Sequence, residues 1–355
     1  MSLLVAVAAA LLVLWMQRRS GVDRLADMRA DHRPDAKLVD PDEIFHLDMT
    51  LQNMGRHYIL FAQLEERLHR AFTVRDPDIP AWEVRSGETK ISFSTWLPPR
   101  RQVRFRVPVS ISARGVYCLA PLKFSIGDFL GLRERSRLSG KFRAVVVAPK
   151  EAEDQGFADV LGGFLGDVSV RRFIHEDPAL FTGFREYTGR EPMKQISWYQ
   201  SAKGRGLMVK ILDHTAEPQV SVLVNADTRA KERGPLLEKC YSMARTICRV
   251  LEERGIAYDF AVNAELASSA AGTDNTVGEG LGANHFAAVL GCLGQATYVR
   301  AASGDEFLAE FLVPAGARGH ILITPSDDFA ASRVLERLRE LSGGTLLVLQ
   351  ADRSV

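Results

Sequence analysis

The chain is organised around the segment Phe184-Arg185-Glu186-Tyr187-Thr188-Gly189-Arg190-Glu191-Pro192-Met193-Lys194-Gln195-Ile196-Ser197-Trp198-Tyr199-Gln200-Ser201-Ala202, which continues to Asp213. Charged residues, a glycine, a proline and a Trp–Tyr pair stand together here without an apolar run. This composition is typical of a surface loop rather than of a core helix or a buried strand, and such loops often carry function. An apolar stretch at 220–224 follows and leads to Asp227. We therefore expect a polar loop in front of a buried strand.

This loop is our candidate interaction site, because mixed charge on a rigid frame favours specific recognition of a partner. Trp198 and Tyr199 have two interpretations: they anchor the loop to the sheet, or they are exposed contacts for a partner. The candidate interaction residues are Phe184, Arg185, Glu186, Tyr187, Gly189, Arg190, Lys194, Trp198, Ser201 and Lys210.

The region 150–355 alternates between short apolar strands and amphipathic helices. In the predicted helix 236–253, one apolar stripe is formed by Leu236, Cys240, Met243, Ile247 and Leu251. Short apolar strands between helices indicate a parallel sheet that is covered on both faces. Ligands of such sheets bind beyond the carboxyl ends of the strands. Here those positions are Asp227, Thr228, the loop 271–282 and the turn 325–328.

The region 38–149 contains segments in which apolar and polar residues alternate, a pattern typical of half-buried strands. Apolar and polar residues alternate at 45–52 and again at 103–111, with turn signals between the strands. Pro108 places the second of these strands at a sheet edge. The segment 58–68 fits either a helix or a strand. We expect a small β-sandwich-like, immunoglobulin-like domain that serves either as a spacer or as a binding face.

The N-terminus carries no charge between Met1 and Met16, and Arg18 and Arg19 follow. A helix of this length spans about 24 Å, slightly less than the ~30 Å of a hydrocarbon core. We predict a transmembrane anchor at 1–19 and a linker at 20–37. The positive charges then place the soluble domains in the cytoplasm of a single-pass inner-membrane protein. A cleaved signal peptide and a soluble core helix are the alternatives.

Composition and charge bound the class of protein. The 355 residues suffice for two domains, and 46% apolar with 25% charged residues is ordinary for globular protein. A net charge of +1 gives no global attraction to nucleic acid. The four cysteines form no Cys-x-x-Cys pair, so we expect buried thiols and a reducing compartment.

Four motifs carry a family resemblance: Phe-Arg-Glu-Tyr-x-Gly from Phe184, Ile-x-Trp-x-x-Ser-Ala from Ile196, Leu-x-Val-Lys from Leu207, and an apolar strand before Asp227. From about Asp40 onward, the chain resembles the bacterial domain of unknown function 58 family. The resemblance implies a C-terminal von Willebrand factor A-like domain. It also implies partnership with a MoxR-type AAA+ ATPase and with other von Willebrand factor A proteins. Arg190 and Ser197 stand where the family usually has acids.

The resemblance also bears on a metal site. Von Willebrand factor A domains often hold Mg²⁺ through Asp-x-Ser-x-Ser, and the corresponding residues here run from Asp227 through Thr228 to Lys231. Arg229 and Lys231 replace the two serine hydroxyls, although a hard cation needs oxygen ligands. We expect a degenerate site at Asp227 and Thr228, no bound metal, no cofactor, and pairing of Asp227 with an arginine or with the following turn.

The sequence thus predicts the fold class α/β, with a von Willebrand factor A-like (Rossmann-like) parallel-sheet domain, a preceding small β-sandwich-like domain and an N-terminal membrane helix. The predicted function is a membrane-anchored cytoplasmic adaptor without catalytic activity. The alternatives are a hydrolase that uses Asp227, His285 and Asp327, or a metal-dependent binding module at the same sheet edge.

Overall fold

A computed structural model describes residues 7, 15, 22–84, 87–128, 133–152, 160–166, 177–189, 193–203, 206–213, 219–267, 274–312, 318–328, 332–341 and 345–352. The chain divides into two compact units, Met1–Lys150 and Glu151–Val355. Each unit has a hydrophobic core of its own.

The first unit consists of strands after a 3₁₀ helix at Val22–Asp27. Its strands are β1 (Met28–Pro34), β2 (Leu38–Val39), β3 (Phe45–Asn53), β4 (Ile59–Leu68), β5 (Phe72–Val74), β6 (Ala81–Glu83), β7 (Thr89–Leu97), β8 (Gln102–Ile111), β9 (Gly115–Leu119), β10 (Leu122–Gly127), β11 (Glu134–Ser139) and β12 (Arg143–Val147). Within the described ranges they form sheets of order β1-β3-β8-β5, β11-β10-β4-β7-β6 and β2-β12-β9. The first two sheets are antiparallel throughout and contribute side chains to one core. The first unit is therefore a β-sandwich.

Side-chain alternation explains the strands of this unit. The residues of β3 alternate strictly between buried and half-buried positions, as the sequence predicts. The segment 58–68, for which helix and strand were both open, contains strand β4. The prediction of an edge position for β8 is wrong, because β8 lies between β3 and β5. A proline is tolerated in this central strand because β5 ends opposite Val109. Strand β5 therefore has no residue opposite Pro108 that would accept a hydrogen bond from the N–H that proline lacks.

The second unit mixes strands and helices. Its strands are β13 (Asp177–Glu186), β14 (Met208–Asp213), β15 (Gln219–Asn225), β16 (Ala257–Asn263), β17 (Thr276–Gly280), β18 (Gly319–Thr324) and β19 (Leu346–Gln350). Its helices are 160–166, Trp198–Ser201, Arg233–Glu253, Ala283–Gln295, Gly304–Ala309 and Arg333–Leu341, with a 3₁₀ turn at Met193–Gln195. Strands β13 and β14 form a separate antiparallel pair.

The main sheet of this unit has the order β17-β16-β15-β18-β19. Strands β16, β15, β18 and β19 are parallel, and β17 is antiparallel to β16. Helices Arg233–Glu253 and Ala283–Gln295 share one core with the sheet. Phe307, Leu308, Leu335 and Leu338 of two other helices pack with Leu223 and Leu322 in a second core. The carboxyl ends of β15, β16 and β18 therefore meet at one edge.

The predicted fold class requires correction. Across the described residues, strands predominate and antiparallel pairs outnumber parallel ones, so the α/β, von Willebrand factor A-like parallel-sheet description is wrong. Even the main sheet of the second unit is mixed, because β17 runs antiparallel. The prediction gave most weight to the strand–helix alternation after residue 220, although most of the described strands precede it.

The linker predicted at 20–37 is also wrong, because strand β1 lies within it and pairs with β3. Charged side chains occupy the exposed face of β1. Its buried face carries Met28, Ala30, His32 and Pro34, of which only Met28 is a large apolar residue. The alternation was therefore hidden from a hydropathy pattern.

The membrane prediction is contradicted as well. Within the described ranges, no helix has both the length and the apolar character that a bilayer crossing requires. The described residues thus give no support to the predicted transmembrane helix and single-pass inner-membrane location. The proposed 1–19 anchor lies outside the described residues, apart from Val7 and Trp15. An uncharged stretch of 16 residues is shorter than the ~20 residues that a span ordinarily needs.

Candidate functional site

The segment 184–213 is a β-hairpin with a long connection. Phe184 pairs with Lys210, and Glu186 pairs with Met208. Phe184, Arg185, Glu186 and Lys210 therefore lie on strands, and the prediction of one continuous loop is wrong for them. The pairing stayed hidden because the polar composition of the segment resembles that of a loop.

Within the connection 187–207, the described residues 187–189, 193–203 and 206–207 include several that contact β14. The Tyr187 N–H donates to the carbonyl of Leu207 at 2.8 Å, and the Ser197 N–H donates to the carbonyl of Met208 at 2.8 Å. Gly189 has a φ of 86°, a left-handed conformation that favours glycine. Ile196 is buried and forms a bridge with Val209. The candidate residue Arg190 lies outside the described residues.

Ser201 fixes the end of this connection. Its Oγ accepts a hydrogen bond from the Met208 N–H at 2.9 Å and donates one to the carbonyl of Ser197 at 2.8 Å. One hydroxyl thus joins the short helix Trp198–Ser201 to the start of β14. The predicted interaction residue Ser201 has a positioning role in the hairpin.

We expect Ser201→Ala to destabilise the contact between the short helix Trp198–Ser201 and β14 by about 1–2 kcal/mol, because two hydrogen bonds at about 0.5–1.5 kcal/mol each are lost. Native-state hydrogen exchange of the Met208 amide should accelerate by roughly tenfold. Ser94→Ala, which changes an exposed serine of β7, is the control and should leave that amide unchanged. Equal protection of Met208 in Ser201→Ala and in the parent would contradict the role of Ser201.

The aromatic pair on this connection faces solvent. Trp198 is 61% exposed and Tyr199 is 74% exposed, so their interpretation as anchors is wrong. Ile196 and Val209 fill the anchor role instead. The exposed residues Met193 and Leu207 lie on the same connection. We name Met193, Trp198, Tyr199 and Leu207 together the aromatic surface.

Cations accompany the aromatic surface. The Nζ of Lys203 lies 4.6 Å from the centroid of the Tyr199 ring, within the range of a cation–π contact. Arg185, Lys194 and Glu186 are exposed, and Lys210 is half-buried. The described charged side chains on this hairpin are thus mainly positive.

A second candidate site lies at the carboxyl edge of the main sheet. A cleft of about 570 Å³ is lined by Asp227, Thr228, Arg229, Arg233, Arg300, Ser303, Gly304, Asp305 and Asp328. We name it the arginine cleft. Sequence reasoning placed Asp227, Thr228 and the 325–328 turn at this edge. It missed Arg233, Arg300, Ser303, Gly304 and Asp305. The Ser303-x-x-Glu306 capping pattern was an available signal for the segment 303–305, but it does not point to the two arginines.

Asp227 is held from two directions. Its Oδ1 accepts from Arg300 Nη1 at 2.6 Å, and its Oδ2 accepts from the Gly304 N–H at 3.0 Å. Asp227 therefore pairs with an arginine, as its sequence context led us to expect. Within the described residues, no group of three or more His, Cys, Asp or Glu side chains is placed to hold a metal ion.

Thr228 and the 325–328 turn meet across the cleft. Asp328 Oδ2 accepts from the Arg229 N–H at 2.9 Å, from the Ser326 hydroxyl at 2.7 Å and from the Thr228 hydroxyl at 3.1 Å. The bond from the Arg229 N–H, together with the one from Ser326, lowers the pKa of Asp328 below its ordinary value. This network holds the Thr228 hydroxyl against the carboxylate of Asp328.

The alternative hydrolase site is not assembled. The ring of His285 packs edge-on against Tyr258, with the centroids 4.6 Å apart. Tyr258 pairs with Val220 near the start of β15, whereas Asp227 follows the opposite end of that strand. Asp327 lies in the turn after β18, at the same edge as Asp227. His285 and Asp227 are therefore at opposite ends of the sheet.

Burial separates the cysteines into two groups. Cys240, Cys248 and Cys292 are buried, whereas Cys118 is exposed, so the prediction of a buried thiol is wrong for Cys118. Burial raises the pKa of the Cys292 thiol to about 12 and raises the pKa of Cys240 and Cys248 as well. The three buried thiols are therefore protonated near neutral pH.

Comparisons with known proteins give weak similarities. No family model matches the chain, and no curated protein matches it. Among solved structures, a cohesin module of a Clostridium perfringens family 33 glycoside hydrolase is 12% identical with a TM-score of 0.27, over 34% of this chain and 96% of that one. A CARDB domain from Pyrococcus furiosus, solved with di-metal ions, is 11% identical with a TM-score of 0.23, over 34% and 92%. At these scores the similarities assign neither fold nor function.

Proposed function

We propose that this protein is a protein-interaction module without chemistry of its own and that the aromatic surface contacts its partner. The exposure of Trp198 and Tyr199 on a hydrogen-bonded hairpin carries the proposal. Aromatic side chains are enriched among the residues that dominate binding energy at interfaces. A backbone that is already ordered loses little conformational entropy when a partner binds.

The charge of the hairpin supports an acidic partner surface. Lys203 is exposed beside the Tyr199 ring, Lys194 is exposed on the same connection, and Arg185 is exposed on β13. Such cations increase the association rate with an acidic surface and fix the register of the complex. Apolar contacts by Trp198 and Tyr199 supply most of the affinity in this arrangement.

The family resemblance supports a MoxR-type AAA+ ATPase as the partner, with other von Willebrand factor A proteins as further candidates. In this proposal the chain acts as an adaptor, and the ATPase supplies the nucleotide-driven work.

The test measures the affinity of the purified full chain for a purified MoxR-type AAA+ ATPase by isothermal titration calorimetry. We expect Trp198→Ala combined with Tyr199→Ala to weaken binding at least about 30-fold, since a hot-spot residue is worth about 2 kcal/mol or more. Both side chains are exposed, so the free energy of unfolding should change by less than about 0.5 kcal/mol.

The matched control is Trp96→Ala combined with Tyr58→Ala, which removes a tryptophan and a tyrosine that are 63% and 57% exposed in the first unit. It should bind the ATPase as the parent does. Equal affinity of the parent and the Trp198–Tyr199 variant would remove the aromatic surface from the proposal. Absence of binding by the parent would show that the ATPase is not the partner.

A further inference from the structure

We propose that the arginine cleft is a metal-independent binding site for the phosphate group of a small hydrophilic molecule. The site is separate from the aromatic surface and does not depend on the function proposed for it. The proposal rests on which charged atoms of the cleft are already occupied within the fold and which remain available.

Counted over its described lining residues, the cleft is formally neutral, because it contains Asp227, Asp305 and Asp328 as well as Arg229, Arg233 and Arg300. Internal donors, however, occupy the carboxylates. Both oxygens of Asp227 accept hydrogen bonds, Asp328 Oδ2 accepts three, and Asp305 Oδ1 accepts one from the Ser332 hydroxyl. These hydrogen bonds hold the three acids in the architecture of the cleft and use both oxygens of Asp227 and one oxygen each of Asp305 and Asp328.

The three arginines differ in how many of their N–H donors are already used within the fold. Arg300 uses Nη1 for Asp227. In the part of the chain that the structure describes, the side chains of Arg229 and Arg233 make no hydrogen bond or ion pair, although the charge of Arg229 helps to lower the pKa of Asp328. Each guanidinium offers five N–H donors in a planar fork that matches phosphate and carboxylate oxygens. Two arginines with unfilled donors thus line one cleft.

The lining decides what kind of molecule fits. Among the described residues that line the cleft there is no large apolar side chain, so these residues offer an apolar cofactor or an aromatic anchor of a peptide no compensation for its lost hydration. A volume of about 570 Å³ accommodates a small molecule. A phosphate group, which presents several acceptor oxygens and more than one negative charge near neutral pH, satisfies two guanidinium forks better than a single carboxylate does.

Isothermal titration of the full chain with inorganic phosphate tests the site, with sodium acetate and sodium chloride at equal ionic strength as separate arms. Chelator is present throughout, so that binding through a metal ion is excluded. We expect saturable binding of phosphate, binding of acetate that is at least about tenfold weaker, and no saturable binding of chloride.

The variant Arg229→Ala/Arg233→Ala should weaken phosphate binding at least tenfold. Its matched control is Arg337→Ala/Arg339→Ala, which removes two exposed arginines from another helix and changes the net charge equally. The control should bind phosphate as the parent does. Equal weakening in both variants would reveal a nonspecific charge effect and overturn the proposal. Absence of saturable binding by the parent, or acetate binding as tight as that of phosphate, would also overturn it.

Discussion

Glu66→Ala will lower the free energy of unfolding of the first unit by about 3–5 kcal/mol, because it removes one partner of a buried ion pair. His32 Nδ1 lies 2.7 Å from Glu66 Oε2, and the two residues are 1% and 2% exposed. A buried histidine without its carboxylate must either lose a proton or remain as an uncompensated charge. Chemical denaturation of the parent and the variant measures the difference.

The geometry around His32 explains the size of this effect. The second ring nitrogen, Nε2, lies 3.0 Å from the carbonyl of Lys141, which can only accept a hydrogen bond. His32 belongs to β1 and Glu66 to β4, so the pair joins the two main sheets of the first unit. Removing Glu66 therefore weakens the contact between the sheets as well as the charge pairing.

Asp35→Ala is the matched control. Asp35 also pairs with a histidine, His46, but both side chains are about one-third exposed. Exposed ion pairs contribute about 0–1 kcal/mol, so the control should stay within that range. If Glu66→Ala and Asp35→Ala lowered the free energy of unfolding equally, burial of the His32–Glu66 pair would add nothing to its contribution to stability.

The same pair makes stability depend on pH. Burial by itself lowers the pKa of His32, but the hydrogen bond and charge of Glu66, helped by the carbonyl of Lys141, outweigh it and raise the pKa above 6.5. Burial raises the pKa of Glu66, against the opposing effect of His32. Both directions mean that the folded pair retains a proton more tightly than the unfolded chain does.

The stabilisation from His32 is therefore fully present below pH 6.5 and is lost as the pH rises through the raised pKa of the folded state. We expect the free energy of unfolding of the parent to fall from pH 6.5 to pH 8.5 and that of Glu66→Ala to change less. Parallel pH profiles for the two proteins would contradict this assignment.

Asn263→Ala will lower the free energy of unfolding of the second unit by about 2–4 kcal/mol, because it removes three hydrogen bonds at a buried sheet edge. Asn263 Nδ2 donates to Asn225 Oδ1 at 2.9 Å and to the carbonyl of Ala302 at 3.1 Å. Its Oδ1 accepts from the Ala302 N–H at 2.9 Å. Asn225 and Asn263 are both buried, so water cannot readily replace the lost partner.

The substitution also reaches the arginine cleft. Ala302 lies between Arg300 and Ser303, and all three belong to the segment that closes one side of the cleft. Releasing Ala302 should move this segment and weaken phosphate binding together with stability. Denaturation and the phosphate titration measure the two effects on the same variant.

Asn275→Ala is the control for this second prediction. Asn275 is half-buried and donates one hydrogen bond, at 3.0 Å, to the carbonyl of Ala264. Its loss should cost about 1 kcal/mol and leave phosphate binding unchanged. If Asn263→Ala cost no more than Asn275→Ala, the network at the sheet edge would not hold the cleft together.

The sequence by itself determined those elements whose side chains repeat with a regular period. Strand β3 alternates over its whole length, and the helix Arg233–Glu253 buries Cys240, Ile247 and Leu251 on the predicted stripe. In β1 the same rule failed, because histidine and proline occupy buried positions and the exposed face is charged. Periodicity is a local property, so it is readable only where the buried residues are also apolar.

Only the tertiary structure decided the sites. Arg300 lies 73 positions after Asp227, and His32 lies 34 positions before Glu66, so no local pattern links either pair. The hairpin exposes Trp198 because Ile196 and Val209 take the buried positions. The sequence supplied the residue types and the carboxyl edge where Asp227 stands. Which charges meet, and which aromatics remain in solvent, depends on strand pairing and packing between distant segments, and local propensities do not encode these.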